Sequence, residues 1–260
     1  EPIFIKEMAA RRLYQQVTVH TAATPARFVV MLDNKLLQTP AKRPVELPTE
    51  SLAWAIAAEW EAQSSRLQPY TMPLMKLAAT TIDQVPNIRT TMTDSMIRCL
   101  QTDGACMRSD ESVLAAKEAK HFDPLLRWLH RDLGLQLATT SSLTLQHPDG
   151  TLEAVEQLLG EVSDWELSAL DSLTSSCKSF VLAFGVCRGQ IGAAEACAAA
   201  RVAEQHQIDE WGEAEAAHDI DAADLALRVS AASVFMRLLK FDIVGVSQPG
   251  LKRSALGGPL

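Results

Sequence analysis

The sequence predicts an α+β protein in which a small N-terminal domain of antiparallel strands and helices precedes a mainly α-helical C-terminal domain. Short runs of β-branched and aromatic residues within residues 13–47 are typical of strands. From residue 49 onward, apolar residues recur at intervals of three and four, which is typical of amphipathic helices. The predicted limits are residues 11–104 for the first domain, 105–242 for the second and 243–260 for a flexible tail.

The first domain opens with strands. They are predicted over residues 14–19 and 27–32, and Asp33-Asn34 supplies the turn that follows the second strand. Three prolines between residues 40 and 48 then interrupt any continuous ladder, because proline has no N–H to donate.

Helices complete this domain. Thr49 is placed to cap a helix over residues 51–63, on which Leu52, Ile56 and Trp60 form one apolar face. Further helices are predicted over 73–85 and 88–100.

The second domain is read as a series of helices beginning near Glu111. Asp123-Pro124 predicts a helix start, because proline suits the first helical position, and Gly134 predicts that helix's end. Residues 135–145 are expected to form a short strand. Ser163 has capping-box spacing to Glu166, which predicts another helix start. Two last helices, one alanine-rich and one amphipathic, are predicted over 192–210 and 221–240.

Composition narrows the functional classes. The chain of 260 residues has a formal net charge of −8 and no cluster of Lys and Arg, which argues against nucleic-acid binding. The longest apolar run, residues 180–187, is too short for a membrane span. The five cysteines form no CxxC pair, and there is no phosphate loop, dinucleotide fingerprint or nucleophile elbow. We therefore expect no cofactor, no small-molecule substrate and no membrane span.

Charge is concentrated in residues 201–224, which we call the acidic segment. Eight carboxylates against the single Arg201 give −7 of the chain's formal −8. The eight acids are Glu204, Asp209, Glu210, Glu213, Glu215, Asp219, Asp221 and Asp224. Such a segment suits an acid/base site, a metal site or a docking surface for a basic partner.

A metal-dependent hydrolase is the enzymatic alternative. It would use His206, His218 and their neighbouring carboxylates, since imidazole and carboxylate together are a common ligand set. The segment has no HExxH spacing, however, and Gly212 interrupts the helix that would align the two imidazoles. A third alternative is a helical scaffold that binds basic partners in general.

Six strings occur in an order that resembles one family. They are RRLYQQV at 11–17, LDNKLLQTPAKRPVELP at 32–48, AAEWEAQ at 57–63, YTMPL at 70–74, TDGACMR at 102–108 and EQHQIDEWGEAEAAHD at 204–219. Together they resemble the mitochondrial ATP synthase assembly factor 2 family, which are chaperones for the alpha subunit of the F(1)-ATPase. The resemblance covers roughly residues 11–240.

The resemblance implies a non-enzymatic chaperone that binds the unassembled alpha subunit and shields its subunit interface from aggregation. It also implies a location in the mitochondrial matrix, or in the cytoplasm if the source is bacterial. The family's acidic position falls on Glu215, the first residue we would assign to client binding. The other residues that match these motifs are Trp211, Gly212, His218, Glu59, Trp60 and Gln63.

Overall fold

The computed structural model describes residues 11–24, 26–142, 144–212 and 217–241. The chain divides into two compact units. The first unit comprises residues 1–87 and 234–260, and the second unit comprises residues 88–233. The α+β class predicted from the sequence is confirmed, with a small antiparallel sheet followed by helices. The domain limits read from the sequence stay a prediction.

A four-stranded antiparallel sheet lies in the first unit, and its second strand pairs with the other three. Val17 lies opposite Leu32, and Thr21 lies opposite Phe28. Val30 is fully buried, as expected for the inward side of a strand that is covered by a helix. The strands are β1 (Val17–Thr21), β2 (Phe28–Leu32), β3 (Lys35–Leu36) and β4 (Glu46–Leu47).

Helix α1 (Glu50–Glu61) packs against β1 and β2 and buries Leu52 and Ile56 completely. The predicted cap is confirmed, because the Thr49 hydroxyl oxygen accepts a hydrogen bond from the Leu52 N–H at 3.3 Å. The same hydroxyl donates to the Leu238 carbonyl at 2.8 Å, so residues near the chain's C-terminal end complete the first unit. Two further helices are α2 (Pro73–Asp83) and α3 (Val85–Leu100).

The second unit is helical and is built around one short, wholly buried helix, α7 (Phe180–Cys187). Phe180 stacks on Phe184 with ring centroids 5.4 Å apart, and Trp128 contacts Phe184 at 6.0 Å. Among the described residues, none of the helices has the length and apolar character needed to cross a membrane. The other helices are α4 (Ser112–Leu133), α5 (Thr151–Glu161), α6 (Asp164–Cys177), α8 (Ala193–Ala200), α9 (Val202–Trp211) and α10 (Ala217–Leu238).

The predicted helix start at Asp123-Pro124 is wrong, because α4 runs unbroken through both residues. Asp123 does not cap a helix; its carboxylate accepts a hydrogen bond from the Arg108 guanidinium at 2.6 Å. The predicted helix end at Gly134 is confirmed by its left-handed conformation, with φ +68°.

Two other expectations differ from the structure. The alanine-rich helix predicted over 192–210 is divided into α8 and α9, because Arg201 leaves helical geometry with φ −109° and ψ 15°. The described part of 135–145 forms no strand beyond an isolated bridge between Thr140 and Met107. The Ser163 capping box is confirmed.

Candidate functional site

The AAEWEAQ and YTMPL strings form one hydrogen-bonded cluster in the first unit. The two carboxylate oxygens of Glu59 accept the backbone N–H groups of Leu74 and Met75, each at 2.8 Å. Glu59 thereby caps α2, whose own N-cap residue, Met72, makes no side-chain hydrogen bond. Burial raises the pKa of Glu59 to about 7, although the two N–H donors act in the opposite direction.

Gln63 holds the loop between α1 and α2. Its buried amide nitrogen donates to the Glu59 carbonyl and to the Thr71 hydroxyl, both at 3.0 Å. Its amide oxygen accepts the Gln68 N–H at 2.7 Å. The functional groups of Glu59 and Gln63 therefore contact the protein's own backbone and side chains.

Trp60 lines a cavity of about 420 Å³ in the first unit, together with Leu67, Met72 and Met75. We call it the tryptophan cavity. The Trp60 ring meets Tyr14 edge to face at 5.8 Å, and its indole N–H is buried with no acceptor among the described residues. That Glu59, Trp60 and Gln63 bind a client remains a prediction.

The acidic segment is described on both sides of a gap at residues 213–216. Trp211 ends α9 with 82% of its surface exposed, and Gly212 follows with φ +83°, which favours glycine. Glu215 lies outside the described residues, as does the side chain of His218. The client-binding roles of these four residues also stay predictions.

His206 is a buried residue of α9 with partners on α4. The Lys117 ammonium lies 3.3 Å from its Nδ1, and Glu111 Oε1 lies 2.8 Å from its Nε2. Because an ammonium group only donates, Nδ1 is the acceptor and Nε2–H donates to Glu111. Lys117 also donates to Asp209 at 2.9 Å, which lowers the pKa of that carboxyl.

These contacts bear on the metal-site alternative, since both ring nitrogens of His206 already have partners within the protein. Within the described residues, moreover, no three His, Cys, Asp or Glu side chains are grouped so that they could hold a metal ion. The hydrolase alternative gains no support from the described part of the segment.

A second cavity, of about 580 Å³, lies in the second unit and is partly lined by the acidic segment; we call it the acidic cavity. Phe122, Leu182 and Leu225 form part of its apolar wall. Its carboxylates are Glu118, Glu204, Asp221 and Asp224, and its cations are Lys178, Arg201 and Arg228. Four carboxylates against three cations leave the lining a formal charge of −1, so its apolar wall is the part that suits a partner's apolar surface.

Arg201 connects the two described sides of the acidic segment. Its guanidinium donates to both carboxylate oxygens of Glu204 at 2.9 Å. These hydrogen bonds, with the charges of Asp221 and Asp219, raise the pKa of Arg201 above its ordinary value. The break between α8 and α9 therefore lies at Arg201, whose guanidinium interacts with these three acids.

Sequence reasoning missed the walls of the acidic cavity. Phe122 and Leu182 are apolar residues within helical patterns, so the sequence gives no signal that distinguishes a cavity wall from ordinary core. The partners of His206, Lys117 and Glu111, lie about 90 residues away along the chain, and no local spacing marks them.

Polar side chains of the TDGACMR string also form hydrogen bonds with the protein's own backbone. The fully buried carboxylate of Asp103 accepts the N–H groups of Ala105 at 2.9 Å and Val181 at 3.0 Å, so it stabilises the start of α7. Arg108 donates to the carbonyls of Ala105 and Met107, both at 2.7 Å.

Comparison with known proteins finds relatives in the ATP12 chaperone family. A family model described as the ATP12 chaperone protein matches residues 11–130. The mitochondrial protein atp12 of Schizosaccharomyces pombe is 26% identical over 226 residues, covering 82% of this chain and 78% of that protein. The mitochondrial protein ATP12 of Saccharomyces cerevisiae is 18% identical over 271 residues, covering 86% and 83%. The crystal structure of Atp12 from Paracoccus denitrificans matches with a TM-score of 0.83 at 30% identity, covering 88% of this chain and 98% of that one.

Proposed function

Because this chain belongs to the ATP12 chaperone family, we propose that it is a non-enzymatic assembly chaperone for the F(1) part of ATP synthase. The observation that carries the proposal is the match to Atp12 of Paracoccus denitrificans, which extends over 98% of that chain. A chaperone acts by binding, and the described contacts of His206 and Asp209, with Glu111 and Lys117, are ones that join α9 to α4.

The proposed client is the unassembled alpha subunit. An unassembled subunit exposes the apolar surface that it later presents to its neighbour, and such a surface promotes aggregation. The acidic cavity supports this choice, because its apolar wall can cover an apolar client surface, while the formal charge of −7 over the acidic segment beside it complements a basic rim. Binding at stoichiometric ratio would shield the client until its proper partner replaces the chaperone.

Glu215 is the proposed orienting residue of this surface, with Trp211, Gly212 and His218 beside it in the motif. Support comes from the flanking acids: Asp221 and Glu204 both line the acidic cavity. In the first unit, Trp60 is the proposed contact, because it lines the tryptophan cavity. Glu59 and Gln63 would act there by fixing the walls of that cavity, as their hydrogen bonds suggest.

The proposed location is the mitochondrial matrix. Two relatives are named as mitochondrial proteins, which supports this location. The similar structure from Paracoccus denitrificans is bacterial, and a bacterial source would place the same function in the cytoplasm.

The test is aggregation of the isolated alpha subunit, measured by light scattering with and without this protein. Wild type should suppress the scattering at about one chaperone per client. Glu215→Lys should suppress it markedly less, because a reversed charge repels a basic client surface. Asp110→Lys, at an exposed position outside the acidic segment, is the matched control and should behave as wild type.

The outcomes separate the two parts of the proposal. Failure of the wild-type protein to suppress aggregation would remove the client assignment. Equal activity of Glu215→Lys and wild type would leave the client but remove Glu215 from the binding surface.

A further inference from the structure

Helix α10 has two apolar faces, and only one of them is covered. Val229 and Ala232 are fully buried, whereas Ile220 is 71% exposed and Leu227 is 47% exposed. At about 100° per residue, Ile220 and Leu227 lie within about 20° of each other around the helix, and Val229 lies about 160° away from Leu227. An ordinary surface helix would carry polar residues on its outer side. Among the described residues, the outer row of α10 is therefore an exposed apolar surface.

The outer row adjoins the acidic cavity. Asp221 and Asp224 lie on α10 beside Ile220 and Leu227, and both line that cavity. Asp224 makes an ion pair with Arg228 at 2.9 Å in which both side chains are more than half exposed, so this pair contributes little stability. Ala223 is exposed between the two large residues, and its small side chain permits a close approach.

We propose that the outer row of α10, formed by Ile220, Ala223 and Leu227, docks an amphipathic helix of the client. This inference rests on the proposed chaperone function. The client helix would place aliphatic side chains on Ile220 and Leu227, and lysine or arginine side chains toward Asp221 and Asp224. A straight row of large, small and large residues on a helix suits the packing of a second helix, whose ridges enter such grooves.

Charge favours a basic client over a second copy of this chain. Asp219, Asp221 and Asp224 flank the row; Arg228 pairs with Asp224, and Arg201 lies near Asp219 and Asp221. Because the acidic segment as a whole has a formal charge of −7, bringing two copies of it together across this row is unfavourable. A client with basic residues beside its apolar row gains from the same charges.

The test uses a double variant that carries both Ile220→Ser and Leu227→Ser. Its dissociation constant for the unassembled alpha subunit is compared with that of wild type. Truncating two apolar contacts should weaken binding at least about tenfold. Val113→Ser is the matched control, because Val113 is a 55% exposed apolar residue on α4, and it should bind as wild type does. Circular dichroism and thermal unfolding should be unchanged in both variants.

Each outcome is decisive. If wild type binds the alpha subunit and the double variant binds equally well, the docking row is wrong and the chaperone function stands. If wild type does not bind, both are wrong. If sedimentation shows that wild type is a dimer and the double variant a monomer, the occupant is a second copy and the proposal is overturned. Should the double variant misfold, Leu227→Gln alone is measured against the same control, with at least a threefold loss expected and no loss contradicting the proposal.

Discussion

Glu59 shows how one residue can serve an element to which it does not belong. It lies on α1, yet its carboxylate accepts the first free N–H groups of α2, from Leu74 and Met75. The capping residue is therefore fifteen positions away from Leu74, farther than any sequence rule for helix starts extends. The sequence indicated that Glu59 and YTMPL matter, but their contact depends on how α1 and α2 pack.

This arrangement predicts a pH-dependent stability that Glu59→Gln removes. The pKa of Glu59 is raised from 4.5 to about 7 by burial, so its favourable neutral form is lost as pH rises through 7. Between pH 5 and pH 8.5 the free energy of unfolding of wild type should fall by about 2.5 kcal/mol relative to Glu59→Gln. Urea denaturation of both proteins at the two pH values measures this difference. Parallel pH profiles would contradict it.

At the scale of elements, local signals predicted helix ends better than helix interiors. Thr49, Ser163 and Gly134 act within a few residues of themselves, and all three predictions are confirmed. The prediction of a helix start at Pro124 was wrong. Proline suits the first turn of a helix, but the buried residues on both sides of Pro124 keep α4 continuous. The sequence did not indicate the helix break at Arg201, since the run of alanines before it favours a continuous helix.

Pro124 therefore carries a cost that a substitution should relieve. Proline in a helix interior removes one hydrogen bond and crowds the carbonyl four residues earlier. Pro124→Ala should raise the free energy of unfolding by about 2 kcal/mol. This is a net value, because alanine also gives the unfolded chain more conformational entropy than proline does, and that effect opposes part of the gain. Chemical denaturation measures the change, and Pro48→Ala, outside any helix, serves as the comparison. A stability at or below that of wild type would mean that α4 accommodates the ring without penalty.

At the scale of the whole molecule, the net negative charge is concentrated in one segment of the chain. The acidic segment has a formal net charge of −7, against −8 for the whole chain, and its described acids Glu204, Asp221 and Asp224 line one cavity. The sequence predicted this concentration because charge can be counted directly. It did not predict the cavity, whose walls come from six helices and the 3-10 turn Gly104–Cys106.

A local concentration of charge predicts that salt slows encounter with a basic client. Raising ionic strength from about 0.01 M to about 0.15 M shortens the Debye length from about 30 Å to about 8 Å. The association rate constant with the alpha subunit should fall about tenfold over this range, while the dissociation rate constant changes little. Stopped-flow measurements at several salt concentrations test this. An association rate that is independent of salt would exclude steering by the acidic segment.

The hydrogen bonds from Thr49 and Ser51 to the backbone of Leu238 have a consequence for synthesis of the chain. The first unit begins near the N-terminus but includes residues from 234 onward. A ribosome must therefore synthesise the chain as far as Leu238 before the sheet and helix α1, which emerge first, can make these contacts. The second unit extends to residue 233, so the two units become complete in sequence at almost the same time, and the strands that emerged first remain without their closing contact until then.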